Sequence, residues 1–446
     1  MRQKFSVLIK KKINKFNQTI DVEGDKSLSL RSILIASQCI GVSKIKNLLE
    51  SEDVLNCIKA LKKLGVAIKK NKNDYEVHGN GLCSFKKNKI TKIFVGNSGT
   101  TSRLLSGLLS THPGRFYLYG DSSMNKRDMA RVIKPLEKIG CLFYPSNKTT
   151  LPLTIEGTSM PLAQKHFEKI GSAQVKSAIL FAALATPGIT TIEEKKISRN
   201  HTENLLKMVG ANIKIKKLKK GNLISLKGQK NLSNFNYLIP SDPSSASFFI
   251  ALTLLTPGSK LLIKNVNCNP TRMGFVSILK KMNAKIKIKN LNIKSGEPRG
   301  DILVKSSNLK PINCPKKFVA SSIDEFPLLF VIASLLKGVS KFSGISELRH
   351  KESDRIKSME TGLNQIGIKT KSTKNSLIIS GNPNLRIKKI LRIFPKNDHR
   401  IAMSYIILGL LVGGPIEVYN YNTINTSFPS FLKLVKKKFG GQFEFK

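Results

Sequence analysis

The chain has 446 residues, no tryptophan, and a formal net charge of +48 drawn mainly from lysine. With 40% hydrophobic residues it can build two or three domains, or one large two-part enzyme. The charge points to anionic partners, yet the lysines are scattered, as in KIKIKN and KKLKKGN. No RNP-like strand, zinc pattern or basic heptad helix accompanies them, so no nucleic-acid partner is expected.

Taken in chain order, MRQKFSVLIKKKINKF lacks a long apolar core and a cleavage site, so it does not read as a secretory signal. Its FSVLIKK stretch predicts a strand that pairs with the second half of the chain. Six segments then share one plan. They open near GDKSLSLRS (24), GNSGTTSRLL (96), GSAQVKSAIL (171), SDPSSASFF (241), IDEFPLLFV (323) and NDHRIAMSY (397). Each opening is small and polar and runs into about three helical turns of apolar and small residues. A turn, a strand, a second helix and a pair of alternating strands follow. The second helices are DVLNCIKALKKLG, DMARVIKPLEKIG, HTENLLKMVG, TRMGFVSILKKMN and ESDRIKSMETGLNQIG. Openings 70 to 82 residues apart are too long for a solenoid repeat and suit a small β-α-β-α-β unit.

Three repeats per lobe predict an α/β protein of two lobes. The boundary falls near YLIPSDPSS, giving an inserted lobe of residues 22–241 and a discontinuous lobe of residues 1–21 plus 242–446. The longest apolar runs, such as IAMSYIILGLLVGG, are too short or broken to span a bilayer, so no membrane association is expected. Six cysteines without CxxC or nearby histidine read as small buried or half-buried residues in a reducing compartment, which predicts a cytoplasmic protein.

Polar openings at helix N-termini present unpaired N–H groups and the positive end of a dipole, which suits phosphate and carboxylate, although ordinary capping explains any one of them. Lys26, Arg31, Arg103, Arg127, Lys176, Arg199, Lys351, Arg355 and Arg400 recur beside these openings, several on otherwise apolar helices. A lone cation there is costly unless paired. Within ELRHKESDRI, Lys351 and Arg355 are four apart and would share a helix face, repelling each other unless an anion sits beside them. Glu352 is either a proton carrier or a simple i,i+3 partner of Arg355. Many cations with two leading acids, Asp324 and Glu352, suit a polyanionic substrate and one or two proton transfers.

GDKSLSLR, GNSGTTSR, GSAQVKSA, SRNHTE, PSDPSSASFF, NPTRMG, IDEFP, ELRHKESDR and NDHRIAMS resemble, in order and across essentially the whole chain, the signatures of the EPSP synthase (3-phosphoshikimate 1-carboxyvinyltransferase) family, class II branch. The resemblance implies two lobes of three βαβαββ repeats each, an inside-out α/β barrel with helices pointing inward. It implies transfer of the enolpyruvyl group of phosphoenolpyruvate to the 5-hydroxyl of shikimate 3-phosphate, on the route to chorismate and aromatic amino acids. A monomer without metal or organic cofactor is implied.

By the same resemblance, Ser27 and Arg31 bind shikimate 3-phosphate and Lys26 touches both substrates. Ser172, Gln174 and Arg199 hold the phosphate and ring of the shikimate, and Lys351 holds it from the other lobe. Arg127, Arg355 and Arg400 clamp phosphoenolpyruvate, with Asn97 and Gly99 lining its pocket. Asp324 takes the proton of the 5-hydroxyl, and Glu352, with Lys26, handles the proton at the methylene carbon.

Three departures stand out. Asp128-Met129 follows Arg127 where Pro-Met is the family pattern. Gly99 stands where some class II members carry alanine, which predicts a roomier phosphoenolpyruvate pocket and sensitivity to glyphosate. No lysine follows TSFP closely enough to match the distal lysine of other branches. His201 and His399 read as structural hydrogen-bonding residues. The nearest rival, UDP-N-acetylglucosamine enolpyruvyl transferase, would need a reactive loop cysteine. GDSSMNKRDM has none, and the next cysteine is Cys141. An RNA-binding or RNA-end-processing protein of related fold would need a continuous basic groove and a nucleotide-handling histidine.

Overall fold

The computed structural model describes residues 5–72, 74–86 and 89–446, so the first four residues of the amino-terminal stretch lie outside it. Two compact units emerge. One holds Met1–Glu23, Ser241–Asn292 and Pro298–Lys446; the other holds Gly24–Pro240 with Ile293–Glu297. We call them the discontinuous and the inserted unit. The hairpin tip Ile293–Glu297 counts with the inserted unit because Glu297 bonds His201 and Asn204 there.

One stretch of the inserted unit displays the repeat in full. Strand Thr91–Phe94 leads into helix Gly99–Ser110, strand Gly114–Tyr119, helix Ala130–Ile139 and strands Leu142–Tyr144 and Leu153–Gly157. The first strand is parallel to Gly114–Tyr119, which needs the intervening helix as a crossover. Leu153–Gly157 lies antiparallel between Gly114–Tyr119 and Leu142–Tyr144. Lys165–Lys227 and Asn313–Gly381 follow the same plan.

The remaining sheets close over long sequence distances. Asn236–Leu238 returns to pair parallel with Cys39–Lys46, and Asn17–Ile20 pairs parallel with Lys260–Asn267. Ser6–Ile9 inserts antiparallel between Ile416–Tyr419 and Glu444–Phe445. Among the described residues, each unit thus carries three sheets.

The first helix of every repeat is buried nearly all round, as an apolar helix without a polar face must be. In Ala173–Ala185 every residue from Val175 to Leu184 is buried, and in His399–Val412 every residue from His399 to Leu411. Such helices pack against one another inside each unit. The Gly99–Ser110 and Ala173–Ala185 helices approach so closely that a Cβ on Gly107 would lie 2.2 Å from the carbonyl oxygen of Ala178. Only glycine permits that crossing. Each unit has its own apolar core, one running from Leu28 to Ile239 and the other from Val7 to Phe439. Phenylalanines fill the second, with Phe249 stacked on Phe439 at 5.0 Å.

Candidate active site

In the inserted unit, three first helices open with capped N-termini. Asp25, Ser98 and Ser172 accept from the backbone N–H of Leu28, Thr101 and Val175. Lys26, the first residue of its helix, extends to Asp53, with Nζ 3.0 Å from Oδ2 and both side chains largely buried. Sequence reasoning missed Asp53, because nothing local to SEDVLNCIK signals a partner 27 residues back.

Arg31 is buried and fully directed. Its Nε donates to Thr202 Oγ1 at 2.8 Å, Nη1 to the Ser27 carbonyl at 3.0 Å and Nη2 to Ser177 Oγ at 3.1 Å. Ser177 and Thr202 are bonded to each other at 2.6 Å, so Arg31 is aimed by a hydroxyl pair on two further helices. Ser27 itself is half-buried.

A second cluster joins Asn97, Gly99, Arg103, Arg127 and Gln174. Arg127 Nη2 donates to Asn97 Oδ1 at 2.5 Å, and Arg103 Nη1 to Gln174 Oε1 at 2.7 Å. Gln174 Nε2 donates in turn to Thr100 Oγ1 at 2.9 Å. A Cβ on Gly99 would meet Arg103 Nη1 at 2.8 Å and Arg127 Nη1 at 3.0 Å. The carboxylate of Asp128 accepts from the N–H of Ala130, the first residue of helix Ala130–Ile139, at 2.9 Å, while its carbonyl receives Arg103 Nη2. Arg199 is half-buried in the loop before helix His201–Met208.

Lys176 departs from the expectation that cations beside the openings serve a ligand. It is 1% exposed, with Nζ 3.0 Å from Glu194 Oε1 and 2.7 Å from Glu203 Oε1. Two buried carboxylates occupy its donors.

In the discontinuous unit, ELRHKESDRI is not one helix. Ser346–His350 is a 3₁₀ turn, Lys351 is extended, and helix Arg355–Gln365 starts only after Asp354, which caps it through the Lys357 N–H. Lys351 and Arg355 therefore do not share a helix face. The capping aspartate stops the helix from extending backwards through Lys351.

Arg355 is the hub of this cluster. Its Nε donates to Asp398 Oδ2 at 2.9 Å and its Nη2 to Glu352 Oε2 at 2.7 Å; Nη1 lies 3.6 Å from Asp324 Oδ1 and makes no hydrogen bond. Burial opposes its charge, but Asp398, Glu352 and Asp324 outweigh burial and hold the guanidinium above its usual pKa. Lys351 is half-buried and shares two of these acids, Asp324 and Glu352. Desolvation draws its pKa below the lysine range, helped by Arg355 and resisted by Asp324, Glu352 and Glu347.

Asp398 is fully buried and accepts from the Arg400 N–H as well as from Arg355 and Ser353. It stands in NDHRIAMS yet received no role from the sequence, where it reads as an ordinary cap. Arg400 leans over the Phe248 ring at 5.9 Å and reaches the Ser244 carbonyl at 3.5 Å. Asp324 stands two residues before helix Phe326–Ser334, beside Glu325, which bonds Ser244 Oγ. His201 and His399 do form hydrogen bonds, at 2.9 Å to Glu297 and 3.1 Å to Thr426. Burial pushes the Cys141 thiol up to about 12, far from the reactive thiolate that the rival transferase requires. Among the described residues no helix is long and apolar enough to cross a membrane.

Buried first helices packed with open sheets, guanidinium groups held in place by hydrogen bonds, and acids gathered on one arginine define an anion-handling α/β enzyme. A family model described as EPSP synthase (3-phosphoshikimate 1-carboxyvinyltransferase) matches residues 10–434. The chain is 38% identical over 441 residues to the 3-phosphoshikimate 1-carboxyvinyltransferase of Zymomonas mobilis subsp. mobilis, covering 98% of this chain and 97% of that one. It is 41% identical over 426 residues to the enzyme of the same name from Petrotoga mobilis, covering 94% and 96%. A solved structure of EPSP synthase from Acinetobacter baumannii superposes with a TM-score of 0.85 at 36% identity, covering 99% of this chain and 100% of that one. The chain belongs to the EPSP synthase family.

Proposed function

We propose that the chain transfers the enolpyruvyl group of phosphoenolpyruvate to the 5-hydroxyl of shikimate 3-phosphate and releases inorganic phosphate. The observation that carries this reading is the arrangement around Arg355: Asp324 and Glu352 stand on different amino groups of one buried guanidinium, 3.6 and 2.7 Å away. Addition of a neutral hydroxyl across an enol needs a base at the oxygen and an acid at the methylene carbon, at separate places.

In the addition, the shikimate oxygen bonds to C2 of phosphoenolpyruvate. Asp324 accepts the hydroxyl proton, and a proton reaches C3 from Glu352, with Lys26 assisting. In the elimination, the C–O bond to phosphate breaks, C3 gives a proton back to Glu352 to restore the double bond, and the proton held by Asp324 leaves with the phosphate. Arg127, Arg355 and Arg400 bind phosphoenolpyruvate, with Asn97 orienting Arg127 and Gly99 leaving the space. Ser27, Arg31, Ser172, Gln174, Arg199 and Lys351 bind shikimate 3-phosphate. Guanidinium forks match phosphate and carboxylate, which the two substrates carry twice each. The reading includes a cytoplasmic monomer without metal or organic cofactor.

The test is phosphate release from the purified protein given both substrates. Asp324→Ala should lower kcat by about 10²- to 10⁴-fold while calorimetry still records shikimate 3-phosphate binding. Unchanged turnover removes Asp324 from the role, and no phosphate release from the native chain removes the reaction.

A further inference from the structure

Arg199 sits on a loop, and a loop ligand needs an anchor to hold its geometry. Strand Ile189–Glu194 ends in Glu194, which is fully buried. Its Oε1 accepts from the Ser198 N–H at 2.8 Å and from Ser198 Oγ, one residue before Arg199. Lys176 Nζ holds the same carboxylate through both oxygens, at 3.0 and 3.2 Å. Lys176 also bonds Glu203 in the first turn of helix His201–Met208, on the far side of the loop. The loop is therefore pinned at both ends by one ammonium, which extends from the helix that carries Gln174 and is capped by Ser172.

The neighbouring strand repeats the device. Glu168 pairs in register with Glu194, and its Oε1 accepts from the N–H groups of Ile170 and Gly171, just before Ser172. A buried glutamate thus ends each of two adjacent strands and folds the loop that follows it.

We propose that Glu194, fixed by Lys176, is a positioning residue for shikimate 3-phosphate: it sets the loop that presents Arg199. This rests on the assignment of Arg199 as a ligand of that substrate. Glu194→Gln is the informative variant, because Lys176 keeps Glu203 and no carboxylate is left without its cation. The KM for shikimate 3-phosphate should rise about tenfold, with kcat and the KM for phosphoenolpyruvate within about twofold of native. Hydrogen exchange at the Ser198 amide should quicken about tenfold. In an Arg199→Met background the same change should add little, since both act through one contact. Should Glu194→Gln fail to fold, Ser198→Ala keeps the ion triad, loses only the hydroxyl bond, and should raise the same KM about threefold.

Equal loss for both substrates, additive costs with Arg199→Met, or native values throughout would overturn the inference. If Arg199→Met alone leaves the KM untouched, the ligand assignment has failed separately, and the Ser198 amide still decides whether Glu194 holds the loop.

Discussion

Gly99 is the position where one methyl group decides a pocket. A Cβ there would sit 2.8 and 3.0 Å from the tips of Arg103 and Arg127, which are ends of flexible side chains and can give way without moving the backbone. Gly99→Ala should therefore cost less than about 1 kcal/mol of stability. Displacing Arg127 from the Asn97 contact should instead raise the KM for phosphoenolpyruvate about tenfold. Glyphosate, taken as a competitor for that pocket, should inhibit the native chain and inhibit Gly99→Ala more weakly. Steady-state inhibition of the two proteins checks both statements, and a tolerant native enzyme would contradict the first. Lys351 supplies a pH dependence. Its ammonium is destabilised by desolvation, so it gives up its proton at lower pH than a solvated lysine. The KM for shikimate 3-phosphate should rise as pH climbs through that lowered value, on the acid side of about 10.4. Lys351→Arg, charged throughout, should flatten the profile; coincident profiles would remove Lys351 from the phosphate. The motifs marked such residues, but not the aim of each side chain. Lys26 depends on Asp53 and Arg31 on Thr202, and those pairings exist only after folding.

Helices explain which parts were legible and which were not. An apolar run of three turns is buried wherever it falls, so the first helix of each repeat could be placed from composition alone. A charged run carries no such constraint, and ELRHKESDRI breaks at Asp354 instead of running through. The lysine excess also becomes intelligible at this scale. Lys69 and Lys70, Lys214 and Lys216, Lys285 and Lys287, and Lys369 and Lys371 are exposed on strands that each form the end of a sheet. Lysine on an edge strand discourages edge-to-edge pairing with another molecule. Asp398 shows one residue serving two elements: it caps helix His399–Val412 and balances Arg355 on another helix. Asp398→Asn keeps a capping oxygen but removes the charge, whereas Asp398→Ala removes both. Urea denaturation should place the alanine variant about 3–5 kcal/mol below native, since it leaves a buried cation short of its partner. The asparagine variant should lose about 1–3 kcal/mol. Equal losses would mean that capping contributes nothing separable from the charge.

Across the whole chain, the inserted unit behaves as a closed insertion. The chain enters it at Gly24 and leaves it at Pro240, and the two ends are joined by the Asp25 N–H to the Pro240 carbonyl at 2.8 Å. Its core runs from Leu28 to Ile239, and among the described residues its three sheets use no strand from outside residues 24–240. A fragment of residues 24–240 should therefore fold alone and unfold cooperatively, with a stability in the range of about 5–15 kcal/mol usual for a domain. It forgoes one feature, the hairpin tip with Glu297, so His201 loses its buried partner and some stability goes with it. The long-range strand provides the control. Asn236–Leu238 covers the edge of Cys39–Lys46, so a fragment ending at residue 230 would leave that edge open and should aggregate. Circular dichroism melts and sedimentation distinguish the two fragments. If residues 24–240 melt without a cooperative transition, the unit is not autonomous, and adjacency of its ends is not enough to make it so.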